Sequence, residues 1–300
     1  MLEITNDFRE RVVVALENAR SNYDGSDANF AKKYSINKSV YSRIKNGETD
    51  RVLKPEQWLN IGRLLDVSPT ERKWNMARTD VFNLIELEVK FCQDFHKSKI
   101  FVDDCAIGKT YSAKYLSRTL KNCFYVDASQ CKTKIQFART LAKALGVDSA
   151  STYNDTKANI KYYLNVIPNP VVIIDEAGDV EYATFCDIKE YWNATDGVCG
   201  WYLMGADGLR QKIERGINHK KNSYREMFSR LSDRFSYAVP RGKIDKIAFY
   251  RKLITDVLSV NMADKAKLPA IVNKCLRTDH EDGEATGLRR AESLLILLQA

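Results

Sequence analysis

The chain has 300 residues, 44% hydrophobic and 10% aromatic with only 14 Gly and 6 Pro, and at ~150 residues per domain that length corresponds to two domains. These values exclude a disordered chain, a collagen-like repeat and a disulfide-stapled miniature scaffold. Forty-seven Lys and Arg against 39 Asp and Glu leave a formal charge of +8, which fits a polyanionic partner such as nucleic acid.

The seven cysteines form no C-x-x-C pair and mostly sit inside apolar patterns, as expected for reduced core residues of a cytosolic protein. His96, His219 and His280 are too scattered to assemble a metal site. The opening MLEITNDFRERVVV carries charges where a signal peptide needs an apolar run, and no 18-residue uncharged apolar stretch follows. The expectation is a soluble, cytoplasmic chain without a membrane partner.

From Asp7 to about Val67 the pattern is helical, punctuated by a turn at Asn46-Gly47. Within it, Asn29 to Gly47 places Phe30, Ala31, Ile36, Val40 and Ile44 at positions suited to two short helices packed at a steep angle. Ala31 allows close approach and Asn37 can cap the second helix. The exposed face of that helix is then expected to carry Lys38, Ser39, Tyr41, Ser42, Arg43 and Lys45, groups that hydrogen-bond base edges or phosphates in a major groove. The segment resembles the helix-turn-helix of the lambda-repressor class, which implies a DNA-binding domain over residues 1–68, closed by Ser68-Pro69.

Beyond it, apolar runs alternate with helical patterns: Ile100 to Val102, a helix from Lys109 to Leu120, Phe124 to Val126, helices from about Thr133 to Leu145 and Asp155 to Val166, then Val171 to Ile174. Trp201 to Met204 and Phe235 to Val239 complete the strand candidates, and the text after Pro240 is helical to the end. This alternation predicts an α/β domain with a parallel sheet over 69–240, followed by a small separate helical bundle over 241–300.

The first strand candidate runs into Asp103-Asp-Cys-Ala-Ile-Gly-Lys-Thr110, in which Gly108-Lys109-Thr110 reads as the end of the phosphate-loop pattern G-x-x-x-x-G-K-[ST]. Ala106, Ile107 and Gly108 would lie around the phosphates, Lys109 would reach the β- and γ-phosphates of ATP, and Thr110 would ligate Mg²⁺. Asp103 stands where the loop's opening glycine belongs; Asp tolerates left-handed backbone, so the turn can survive, although carboxylates at 103 and 104 repel a triphosphate. The apolar run Val171 to Ile174 ends in Asp175-Glu176, where Asp175 would hold the Mg²⁺ shell and Glu176 polarise the attacking water.

Ser229-Arg-Leu-Ser-Asp-Arg-Phe235 precedes the last strand candidate and Gly287-Leu-Arg-Arg290 opens the last helix. With these motifs the sequence resembles the AAA+ ATPases. That resemblance implies an arginine finger acting on a neighbour's nucleotide, by position Arg230 or Arg234, and a lid arginine that senses the γ-phosphate, Arg290 before Arg289. The family's polar sensor should follow Met204-Gly205, where Ala206 and Asp207 stand instead.

A helix-turn-helix ahead of such a domain is the layout of the Mu B-like transposition ATPases, with IstB-type relatives. Their resemblance implies an ATP-dependent protein that assembles as a helical filament or ring on double-stranded DNA, selects a transposition target and engages a DDE transposase. It also favours Lys132, Thr133 and Lys134, after the second strand, as DNA-facing phosphate contacts over the basic stretch Leu209 to Arg234. A DnaC-type helicase loader, or a DNA-binding regulator with a degenerate phosphate loop, would fit the same sequence.

Overall fold

The computed structural model describes residues 4–21, 23, 25–65, 67–69, 74–277 and 287–299. Two compact units result: Met1–Lys73 with Ser117–Cys123, and Trp74–Leu116 with Phe124–Ala300.

The first unit holds α1 (Asn6–Ser21), α2 (Asp27–Lys33), α3 (Lys38–Lys45) and α4 (Pro55–Leu64). Phe8, Val12 and Leu16, spaced at four residues on α1, share one buried face with Phe30, Ala31, Ile44, Trp58 and Ile61. Ser26 starts α2 by accepting a hydrogen bond from the Asn29 backbone. Asn37 occupies the corresponding position of α3 without a side-chain hydrogen bond; the turn before it is closed through the backbone, Ile36 N–H to the Ala31 carbonyl at 2.9 Å.

One expected DNA-facing residue is misplaced by the sequence pattern. Tyr41 is only 3% exposed, its ring 5.3 Å from that of Phe30. The reason is helical periodicity: Tyr41 lies three residues before Ile44 and therefore on the same inward stripe. Lys38, Ser39, Ser42, Arg43 and Lys45 do face solvent, with Arg43 paired to Glu48 at 2.8 Å and Lys45 to Asp27 at 3.4 Å.

The second unit begins with α5 (Asp80–Phe95), capped by Thr79 through the Phe82 N–H. It continues as β1 (Ser98–Val102), α6 (Lys109–Thr119), β2 (Cys123–Asp127), α7 (Lys134–Leu145), α8 (Tyr153–Val166), β3 (Val171–Asp175), α9 (Tyr182–Ala194), β4 (Gly200–Gly205), α10 (Asp207–Asn218), α11 (Tyr224–Arg230) and β5 (Phe235–Ser236). The strands order β2-β3-β4-β1-β5, and β4 pairs in parallel with β1 (Val102 opposite Gly205) and with β3 (Ile174 opposite Leu203). The carboxyl ends of β1, β3 and β4 therefore share one edge, the edge at which parallel α/β sheets bind ligands.

Every residue of β3 and β4 is buried, which is why these strands read as continuous apolar runs. Beneath the sheet, buried Glu88 of α5 accepts from Lys99 Nζ at 2.8 Å, Tyr202 Oη at 2.8 Å and Ser236 Oγ at 2.7 Å. One carboxylate thus joins α5 to β1, β4 and β5.

Three further helices, α12 (Lys243–Asn261), α13 (Leu268–Leu276) and α14 (Gly287–Gln299), close around Ile254, Leu258, Ile271, Val272, Cys275 and Leu295, with Trp74 packed against them. They form a lid with its own core. The last strand is shorter than the sequence suggests, Phe235–Ser236 and not Phe235 to Val239. The backbone N–H groups of Ala238 and Val239 are taken by the Asp103 carboxylate at 2.6 and 3.0 Å, so they are not available to a strand partner. Among the described residues no helix is long and apolar enough to cross a membrane.

If Tyr41 is a core residue, Tyr41→Ala should destabilise the helical unit by about 3 kcal/mol, read as faster amide exchange through α2 and α3. Arg43→Ala should leave that exchange unchanged.

Candidate nucleotide site

The loop between β1 and α6 owes its shape to two left-handed residues, Ala106 (φ 58°) and Gly108 (φ 96°). Asp103, expected to keep a left-handed turn in place of the missing glycine, has no positive φ. It supplies a buried carboxylate instead: one oxygen takes the Ala238 and Val239 N–H groups and the other takes Asp104 N–H at 2.8 Å. Burial pushes its pKa up, and those three backbone donors oppose the shift.

Lys109 begins α6 and is 7% exposed. Its ammonium donates to the carbonyls of Asp103 at 2.8 Å and Asp104 at 2.6 Å. Burial lowers its pKa, while the Cys105 thiol and the carboxylates of Asp103, Glu176 and Asp175 pull it back up. Lys109 is therefore a desolvated cation among anionic groups, held by carbonyls of its own loop at the amino terminus of α6.

Thr110 Oγ1 donates to Asp175 Oδ2 at 2.6 Å across 65 residues of sequence. The parallel register makes this contact, since Thr110 follows the end of β1 and Asp175 ends β3 with β4 between them. Asp175 also accepts from Tyr125 Oη at 3.2 Å and, through its other oxygen, from Glu176 N–H at 3.0 Å. Glu176 itself is left-handed, φ 49°, which turns it out of the strand direction. Burial and then the neighbouring Asp175 raise its pKa. Tyr125 was not singled out in the sequence, although its place between the apolar Phe124 and Val126 on β2 marks it as facing the other side of the sheet.

The lid reaches this loop directly. Leu288 N–H donates to the Ala106 carbonyl at 2.8 Å, and Gly287 (φ 66°) lies so close that a Cβ there would stand 2.7 Å from the same oxygen. Arg290 is half-buried and its charge acts on the buried Cys275 thiol of the lid, whereas Arg289 is exposed. After β4, Ala206 caps α10, and Asp207 lines a cleft of about 210 Å³ with Asp103, Asp104, Arg210, Arg241 and Lys246.

Neither candidate finger joins the loop of its own chain. Arg230 lies over the ring of Trp192 at 4.6 Å, and Trp192 Nε1 donates to Ser98 Oγ at 2.8 Å, at the opposite end of β1. Arg234 is exposed. At the start of α7, Thr133 forms a capping box with Gln136, Lys132 pairs with Asp179 at 3.6 Å, and Lys134 lies over the Tyr153 ring at 5.2 Å. The Lys132 carbonyl accepts from Glu181 N–H at 3.0 Å and Thr184 Oγ1 at 2.7 Å, so this loop is fixed against the segment leading into α9.

Residues 105–213 match the family described as AAA domain. Among solved structures, the Orc1 protein of Aeropyrum pernix in complex with DNA is similar at a TM-score of 0.52 and 14% identity over 74% of this chain. Cdc6p from Pyrobaculum aerophilum aligns at a TM-score of 0.39 and 10% identity over 69% of this chain. The alignments span 59% and 63% of those two proteins. No curated protein gives a significant sequence match. The second unit is thus an AAA+ α/β fold with a helical lid, preceded by an all-helical unit.

Because Gly108 has φ 96°, Gly108→Ala should lower stability by about 1–2 kcal/mol. Gly208→Ala, where an added Cβ meets nothing within 4 Å, should not lower it. Thermal unfolding of the two variants makes the comparison.

Proposed function

We propose that the chain is an ATPase of the AAA+ type that acts on double-stranded DNA. The observation that carries this reading is the contact of Thr110 with Asp175 beside a buried Lys109. The hydroxyl and carboxylate meet at 2.6 Å, and no cluster of three or more His, Cys, Asp or Glu among the described residues is poised to hold a metal by itself. Such a site suits an ion that completes its shell with phosphate oxygens and water, as Mg²⁺ does.

Thr110 and Asp175 would hold Mg²⁺, which when bound neutralises charge on the β- and γ-phosphate oxygens. The backbone of Ala106, Ile107 and Gly108 and the start of α6 would cradle the phosphates. Lys109 would exchange the carbonyls of Asp103 and Asp104 for phosphate oxygens. Glu176, free to leave the strand direction, would polarise the attacking water in its ionised form.

The DNA reading rests on the charge of +8, on the exposed Lys38, Ser39 and Arg43 of α3, and on Lys132, Thr133 and Lys134 at the start of α7. Lys132 pairs with Asp179 and Thr133 caps α7, so a DNA phosphate would have to compete with Asp179 for Lys132, and such contacts would position DNA without reading its sequence. The layout favours assembly as a filament or ring on duplex DNA, target selection in transposition and a transposase partner. In that assembly Arg234 is the better finger, because Arg230 is committed to Trp192, and Arg290 serves the lid.

Lys109→Ala should abolish binding of a fluorescent ATP analogue; unchanged affinity would contradict the loop assignment. Glu176→Gln should bind ATP and Mg²⁺ yet release phosphate at least about 100-fold more slowly, and a normal rate in that variant contradicts the role. Phosphate release with and without duplex DNA tests the whole reading, which requires DNA to change the rate.

A further inference from the structure

Two carboxylates at the start of a phosphate loop oppose a triphosphate, and both are compensated from outside the loop. Asp103 is 8% exposed and receives the Ala238 and Val239 N–H groups, which belong to the segment that leads from the sheet into the lid. Asp104 receives Lys246 Nζ at 2.8 Å and Tyr250 Oη at 2.9 Å, both one or two turns into α12. A third tie runs from the Ala106 carbonyl to Leu288 N–H at the start of α14. Both ends of the lid therefore hold the same short loop.

Charge gives these ties a consequence beyond packing. The carbonyls of Asp103 and Asp104 hold the Lys109 ammonium at 2.8 and 2.6 Å, so the two carboxylates stand one residue's reach from the cation that must meet the phosphates. With Lys246 withdrawn, Asp104 would keep the Tyr250 hydroxyl but lose its counter-charge, leaving a half-exposed carboxylate that repels a triphosphate. A loop opening with glycine carries no such charge and has no such requirement.

We propose that Asp103 and Asp104 make triphosphate binding conditional on the docked lid: the lid and its connecting segment supply the counter-charge and backbone donors that the acidic loop needs before it can accept ATP. Asp103, Asp104, Lys246 and Tyr250 act as positioning residues. The inference rests on the ATP reading of the site, and two measurements on the full chain keep the two apart.

In the first, a fluorescent ATP analogue with Mg²⁺ is titrated into the wild type, Lys246→Met, Asp104→Asn and the double variant. Lys246→Met should weaken binding about tenfold, and Asp104→Asn in the same chain should restore it to within about twofold of Asp104→Asn alone. A simple loss of packing at Lys246 would not be repaired by removing a charge elsewhere, so a double variant as weak as Lys246→Met overturns the proposal. In the second, without nucleotide, Asp104→Ala should speed amide exchange over residues 238–250 and 287–291. Unchanged exchange there overturns the tie between loop and lid. A wild-type chain that binds no ATP sinks the nucleotide reading itself, and the tie then stands or falls on the exchange result.

Discussion

The hydrogen bond from Thr110 to Asp175 is the point on which the α/β unit turns. It exists only because β4 lies between β1 and β3 in parallel register, so that the loop leaving β1 and the acidic end of β3 emerge on one edge. With both faces covered, a one-residue slip would force every side chain of these strands to repack against the opposite layer, which fixes the register. Glu88 adds a polar constraint from beneath, tying α5 to three strands through three hydrogen bonds. The cluster is costly to break, because loss of Lys99 leaves a buried charge unpaired and loss of Tyr202 or Ser236 removes a donor to it.

The chemistry of the edge follows from desolvation. Lys109 is buried and held by carbonyls, which are weaker partners for an ammonium than phosphate oxygens are. Glu176 sits beside a second carboxylate and is pushed toward its neutral form. Under the proposed function a phosphate would give Lys109 stronger partners than carbonyls, and a bound divalent cation would offset the repulsion between Asp175 and Glu176.

Much of this was legible in the sequence. The alternation of apolar runs with helices after Lys99 gave the order of elements, and Gly108-Lys109-Thr110 and Asp175-Glu176 pointed to two segments that the fold brings together through Thr110 and Asp175. Three features depart from the local reading. Tyr41 read as an exposed hydrogen-bonding residue, although its three-residue spacing to Ile44 already placed it on the inward stripe. Asp103 read as a substitute for glycine in a turn, whereas its role is set by residues 135 and 136 positions away. The same contact shortens β5, so one long-range carboxylate explains two departures from local pattern. The tie of Gly287 and Leu288 to Ala106 is likewise invisible locally, since nothing in Gly287-Leu-Arg-Arg290 says which loop it will meet.

Under the proposed function the Thr110–Asp175 pair holds Mg²⁺ for ATP hydrolysis. The most direct test of that role is phosphate release from ATP by the full-length chain as Mg²⁺ is varied, with Asp175→Asn beside the wild type. Turnover should require Mg²⁺ and be lost in Asp175→Asn at any Mg²⁺ concentration that saturates the wild type. Mg²⁺-dependent turnover that survives unchanged in Asp175→Asn would contradict the role.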